Sequence, residues 1–74
     1  MVYLFLADGF EEIEALAVLD LLRRAGVDVK TVGVTGKIAN GSHKIPVKCD
    51  ITENELEQNS DFDMIILPGG LPGA

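Results

Sequence analysis

The sequence predicts an α/β fold built on a parallel sheet, and three observations carry that prediction. A short apolar run, Val2 to Ala7, stops at Asp8-Gly9 and gives way to a segment of helical length. A second run, Val27 to Val34, follows that segment, and a third, Met64 to Leu67, ends in Pro68-Gly69-Gly70. Short apolar runs closed by turn residues and separated by a helical stretch are the pattern of parallel strands covered on both faces.

The first run reads Val-Tyr-Leu-Phe-Leu-Ala and suits a strand with no wet face. Asp8 with Glu11 three residues on has the spacing of a capping box, and Glu11 and Glu12 then fall in a first turn where the helix dipole favours negative charge. The helix is expected from Phe10 to Ala25. Gly26 closes it as a C-terminal glycine does, with Arg23 and Arg24 in the last turn where positive charge is favoured. In the second strand Val27, Val29 and Thr31 alternate with Asp28 and Lys30 before Val32-Gly33-Val34 becomes small and apolar. Strand, helix, strand makes a β-α-β unit, whose crossover is expected to be right-handed.

Asn40-Gly41, flanked by Lys37 to Ala39 and Lys44 to Ile51, predicts a hairpin. Ile45, Val47, Cys49 and Ile51 alternate with Pro46, Lys48 and Asp50, and Pro46 places this strand at an edge or start, so a β-ribbon is expected. Thr52 and Glu55 repeat the capping-box spacing, which predicts a short acidic helix over Glu53 to Asn59. Met64 to Leu67 is the third core strand, and Leu71-Pro72-Gly73-Ala74 reads as the entry to a further helix.

The chain has 74 residues, about half of a typical domain. Residues 1–74 are therefore expected to be the N-terminal part of one larger domain. A hydrophobic share of 47% beside 24% charged residues is that of a packed globular protein. The net charge of −6 makes nucleic acid and anionic membranes unsuitable partners. One cysteine allows no internal disulfide and fits a reducing compartment. The opening apolar run is too short for a signal peptide and has no basic residues before it, so a cytoplasmic protein is expected.

Glu14 is the first candidate site residue. On a helical wheel of about 100° per residue it falls on one stripe with Val18, Leu21 and Ala25, so it should face the core, while Asp20 and Arg24 form an i,i+4 pair on the wet edge. A carboxylate on an apolar stripe must be protonated, paired or hydrogen-bonded. It could equally bond orphan N–H groups at its own helix start or reach outward to solvent. Its place just after the C-terminal end of the first strand favours a ligand site, because ligands bind at that edge of a parallel sheet. Gly69 and Gly70 open on the same edge, where adjacent glycines can present N–H groups to an oxyanion, or simply make a strand-to-helix turn.

Phe5 to Leu16, read FLADGFEEIEAL, together with Leu22-Arg23-Arg24-Ala25-Gly26 and Leu67 to Ala74, read LPGGLPGA, resembles the ThiJ/PfpI family of deglycase-like and thiazole-monophosphate-biosynthesis-type proteins. The resemblance implies a flavodoxin-like (Rossmann-like) three-layer sandwich, usually dimeric, with a reactive cysteine on a downstream strand-to-helix turn. It implies that Glu14, protonated, hydrogen-bonds that thiolate, and that the N–H groups of Gly69 and Gly70 form part of the oxyanion hole. No cofactor is implied, and no group of His, Cys and carboxylate residues has metal-ligand spacing. The chain ends before the nucleophile, so alone it is not expected to be a catalyst; the expected partners are the remainder of the polypeptide as a separate chain and a small-molecule substrate.

The remaining expectations concern single residues and alternatives. Cys49 shares an apolar face with Val47 and Ile51 and reads as a buried structural thiol, and His43 in the polar Gly41-Ser42-His43-Lys44 turn reads as solvated. The family resemblance implies a cysteine-dependent enzyme on small carbonyl compounds, a glyoxalase or deglycase-like hydrolase or lyase. A redox sensor or chaperone on the same fold and a class I glutamine amidotransferase are the alternatives. Ala15, Leu19 and Leu22 give the first helix a second apolar side, so it is expected to be covered twice, by the sheet and by a neighbouring helix or a second subunit of a homodimer.

Overall fold

A computed structural model describes residues 1–56 and 64–68. In chain order the elements are β1 (Val2–Leu6), α1 (Glu12–Arg24), β2 (Val29–Gly33), β3 (Ile38–Asn40), β4 (Pro46–Lys48), β5 (Ile51–Thr52), a 3-10 turn over Glu53–Glu55, and β6 (Met64–Ile66). One sheet has the order β5-β2-β1-β6, and β3 and β4 form a separate ribbon. Every pairing in the four-stranded sheet is parallel, in the α/β arrangement expected.

β1 lies in the interior of the sheet, paired along its whole length with β2 from Val2 opposite Val29 to Leu6 opposite Gly33, and with β6 from Val2 opposite Met64 to Leu4 opposite Ile66. Its lack of polar alternation is explained by burial: Val2, Tyr3, Leu4 and Leu6 are all buried. A fully buried leucine contributes about 1.5–3 kcal/mol, so this strand is a main source of stability. α1 covers the sheet through Ala15, with Leu19 and Leu22 packed against the same core. Gly26 ends the helix in the left-handed region at φ 80°, which an L side chain adopts only with strain. The expected Asp20–Arg24 pair is present at 2.9 Å.

Several local expectations are corrected. The helix starts at Glu12 rather than Phe10, and its N-cap is Glu11, whose carboxylate accepts the Ile13 N–H at 3.0 Å. Asp8 does not cap the helix; its Oδ1 accepts the Asn40 N–H at 3.0 Å and the Thr35 hydroxyl at 3.2 Å. The Gly9 N–H donates to the Asn40 carbonyl at 2.8 Å, so the 8–10 segment turns against the ribbon before the helix begins.

The ribbon turn is wider than a two-residue Asn-Gly hairpin. Asn40 pairs with Pro46, which leaves Gly41 to Ile45 as the loop, closed by the Gly41 N–H on the Ile45 carbonyl at 3.0 Å. The expected strand Lys44 to Ile51 divides at Cys49-Asp50. Asp50 Oδ2 accepts the Thr31 N–H at 2.9 Å, the Thr31 hydroxyl at 3.2 Å and Arg23 Nη2 at 2.8 Å, while the Asp50 N–H donates to Thr31 Oγ1 at 2.8 Å. Those bonds draw the chain out of the ribbon, and β5 joins β2 as a fourth parallel strand where three were expected.

Thr52 and Glu55 do meet, the Thr52 N–H donating to Glu55 Oε1 at 3.0 Å, but they cap a single 3-10 turn. The rest of the expected helix, from residue 57, lies outside the described residues. Among the described residues no helix is long and apolar enough to cross a membrane.

Candidate functional site

Because β1, β2 and β6 run in one direction, their C-terminal ends share an edge, and three connections open there: 7–11 after β1, 34–37 after β2, and Leu67-Pro68 after β6. Glu14 lies in the first turn of α1 on this edge. Gly69 and Gly70, the expected oxyanion pair, lie outside the described residues.

Glu14 is exposed, so the wheel expectation that it faces the core is not met in this chain. The stripe it belongs to is real but does not face the sheet. Leu21 is 65% exposed and Val18 37%, while Ala15, Leu19 and Leu22 supply the sheet contact. Periodicity found two apolar faces and could not say which one the sheet takes.

The buried carboxylate of the first turn is Glu12, 3% exposed. Its Oε2 accepts the N–H of His43 at 2.7 Å and of Ile45 at 3.4 Å. Its Oε1 accepts the Ser42 hydroxyl at 3.2 Å and lies 2.9 Å from His43 Nδ1. The ribbon loop thus wraps one carboxylate. Burial alone would raise its pKa, but the hydrogen bonds from the His43 ring, from its own backbone and from the His43 and Ile45 N–H groups outweigh burial and lower it from 4.5 to about 2.

His43 is correspondingly not a merely solvated residue. Its ring is on the surface, yet the hydrogen bond to Glu12, with the charges of Glu12 and Glu11, raises its pKa above 6.5. Gly41 makes the arrangement possible: a Cβ there would collide with the Glu12 side chain, so the fit depends on hydrogen at that position. The Ser42 N–H adds a bond to the Phe10 carbonyl at 2.8 Å.

Sequence reasoning missed this pair because its partners are 31 residues apart. The available signal was the donor-rich Gly-Ser-His turn, whose N–H and hydroxyl groups need an acceptor that a first-turn glutamate can supply. Glu11, Glu12 and His43 each bring one ligand atom within 4.8 Å of the others. Both Glu12 oxygens already accept protein donors and Glu11 Oε1 caps the helix, so the group is explained as a hydrogen-bonded junction.

Cys49 is buried, as expected of a structural thiol. Burial pushes its pKa up, the N–H bond from Ala39 opposing, so the neutral thiol is favoured.

A sequence profile described as the DJ-1/PfpI family matches residues 1–74. The chain is 41% identical over 70 residues to Protein DJ-1 homolog B of Arabidopsis thaliana, covering 93% of this chain and 16% of that protein. It is 34% identical over 71 residues to Deglycase PfpI of Pyrococcus furiosus, covering 95% of this chain and 42% of that one. Among solved structures, Drosophila melanogaster DJ-1beta superposes with a TM-score of 0.90 at 34% identity, over 97% of this chain and 39% of the fly protein. The chain therefore spans less than half the length of these relatives, and the shared fold is the flavodoxin-like α/β fold.

Proposed function

The chain belongs to the DJ-1/PfpI family, and from that premise we propose that it is the supporting half of a cysteine-dependent enzyme acting on small carbonyl compounds, a deglycase or glyoxalase-like hydrolase or lyase. In this reading the nucleophile lies on a further segment of the polypeptide, joined or as a separate chain. Glu14 donates a hydrogen bond to its thiolate, and the Gly69 and Gly70 N–H groups receive the oxyanion that forms when the thiolate adds to the carbonyl.

The observation that carries the reading is the common edge. The parallel sheet directs the first turn of α1 and the segment leading from β6 toward Gly69-Gly70 to one side, where open α/β sheets take their ligands. The similarity to a deglycase, over 95% of this chain and 42% of that protein, supports this class of chemistry.

The test is made on the intact polypeptide carrying this chain. Glu14→Gln should raise the pKa of the nucleophilic thiol, read from the pH dependence of alkylation, and should lower methylglyoxal turnover. An unchanged thiol titration removes the role given to Glu14. A protein with a perturbed thiol and no turnover is a sensor rather than an enzyme.

The same reading includes a homodimer through α1. Val18 and Leu21 are exposed apolar residues beside Glu14 on the face of the helix turned away from the sheet, which a second subunit would cover. Light scattering after size exclusion should give twice the protomer mass for the intact protein, and a monomer at all concentrations refutes it.

A further inference from the structure

We infer that Glu12 is a positioning residue for the proposed site: through its carboxylate the ribbon loop fixes the first turn of α1, and with it Glu14. The inference rests on the reading of Glu14 above and extends it to residues outside the site.

The first turn of a helix is the part least held by the helix itself, since its leading N–H groups have no partner within it. Here the turn is anchored from outside. The N–H groups of His43 and Ile45, the Ser42 hydroxyl and the His43 ring all converge on Glu12, two residues before Glu14. Fastenings at Asp8, Gly9 and Phe10 hold the approach to the helix, through Asn40 and Ser42 of the ribbon. Glu12 is the fastening that acts within the helix. Gly41 admits its side chain at a distance no other residue allows.

A carboxyl that tunes a thiol must be held at hydrogen-bond distance, and a displacement of ~1 Å can cost up to about a hundredfold in rate. Releasing Glu12 therefore acts on the thiol without touching it. Glu12→Gln replaces one acceptor oxygen by an NH2 that opposes the loop N–H donors. Ser42→Ala combined with His43→Ala is milder, because it leaves the backbone donors in place.

The experiment compares these variants with Glu14→Gln in the intact polypeptide, following thiol alkylation against pH and thermal unfolding together. Glu12→Gln is expected to lower thiolate reactivity below the native midpoint by on the order of tenfold, and the Ser42/His43 double variant by a smaller factor. Adding Glu12→Gln to Glu14→Gln should give no further change in the thiol, because both act through one carboxyl. A lowered melting temperature with the native thiol profile overturns the positioning role and leaves the role of Glu14 standing. No thiol change in Glu14→Gln itself overturns both.

Discussion

Gly41→Ala tests the junction at its tightest point. A methyl group there would occupy the space of Glu12 Cγ, Cδ and Oε2. Side-chain ends usually step aside at little cost, but this one accepts four groups from the loop and moves only by leaving them. Overpacking of this kind costs about 1–3 kcal/mol. In an intact polypeptide of roughly 150–250 residues each kcal/mol lowers Tm by about 2–4 °C, so the effect is within reach of a thermal melt. The decisive comparison repeats Gly41→Ala in a Glu12→Ala background, where the obstacle is gone and the added cost should fall below about 0.5 kcal/mol. Equal costs in both backgrounds would show that Gly41 is required for some reason other than Glu12, and the account of the junction would fail.

The same junction should titrate. Glu12 should protonate near pH 2 by carboxyl NMR; its contribution to stability is full above its unfolded value of 4.5 and is lost as pH falls from there through about 2, whereas titration near 4.5 refutes the wrapped carboxylate. His43 has the opposite sign. Its raised pKa contributes stability that is full below 6.5 and lost as pH rises through the folded value, and Glu12→Gln should bring the imidazole midpoint down. Thr31→Val leaves the Asp50 N–H without its acceptor and should cost about 1–3 kcal/mol in a denaturant melt, with no loss if the Thr31–Asp50 bonds are not made in solution. Cys49 should alkylate slowly in the native protein and rapidly in urea, and fast native alkylation would contradict its burial.

The parts of this fold that were legible in the sequence are those written in neighbouring residues. The apolar run of β1, the helix closed by Gly26 and the Asp20–Arg24 pair each depend on spacings of a few positions. The parts that were not legible depend on side chains that bond across the fold. Asp8 had the spacing of a cap yet bonds Asn40, 32 residues away. Asp50 looked like the polar half of an alternating strand, but its bonds to Thr31 and Arg23 break that strand in two. For the candidate site, the wheel selected a first-turn carboxylate from the apolar stripe and arrived at Glu14. The first-turn carboxylate that is buried is Glu12, because hydrogen-bond donors from a distant loop, rather than apolar neighbours, make burial of a charge tolerable.

The two carboxylate contacts of the ribbon limb have a joint consequence. Its start holds α1 at Glu12 through the Ile45 N–H, and its end holds α1 at Arg23 through Asp50. The eleven residue steps from Glu12 to Arg23 cover about 17 Å of helix axis, so the ribbon limb fastens α1 near both of its ends. A one-residue insertion in α1 would advance one fastening by about 1.5 Å and turn it by about 100°, leaving one of the two unmade. The spacing between Glu12 and Arg23 is thereby as constrained as either residue, and length changes in this family member should be found in loops and not in its first helix.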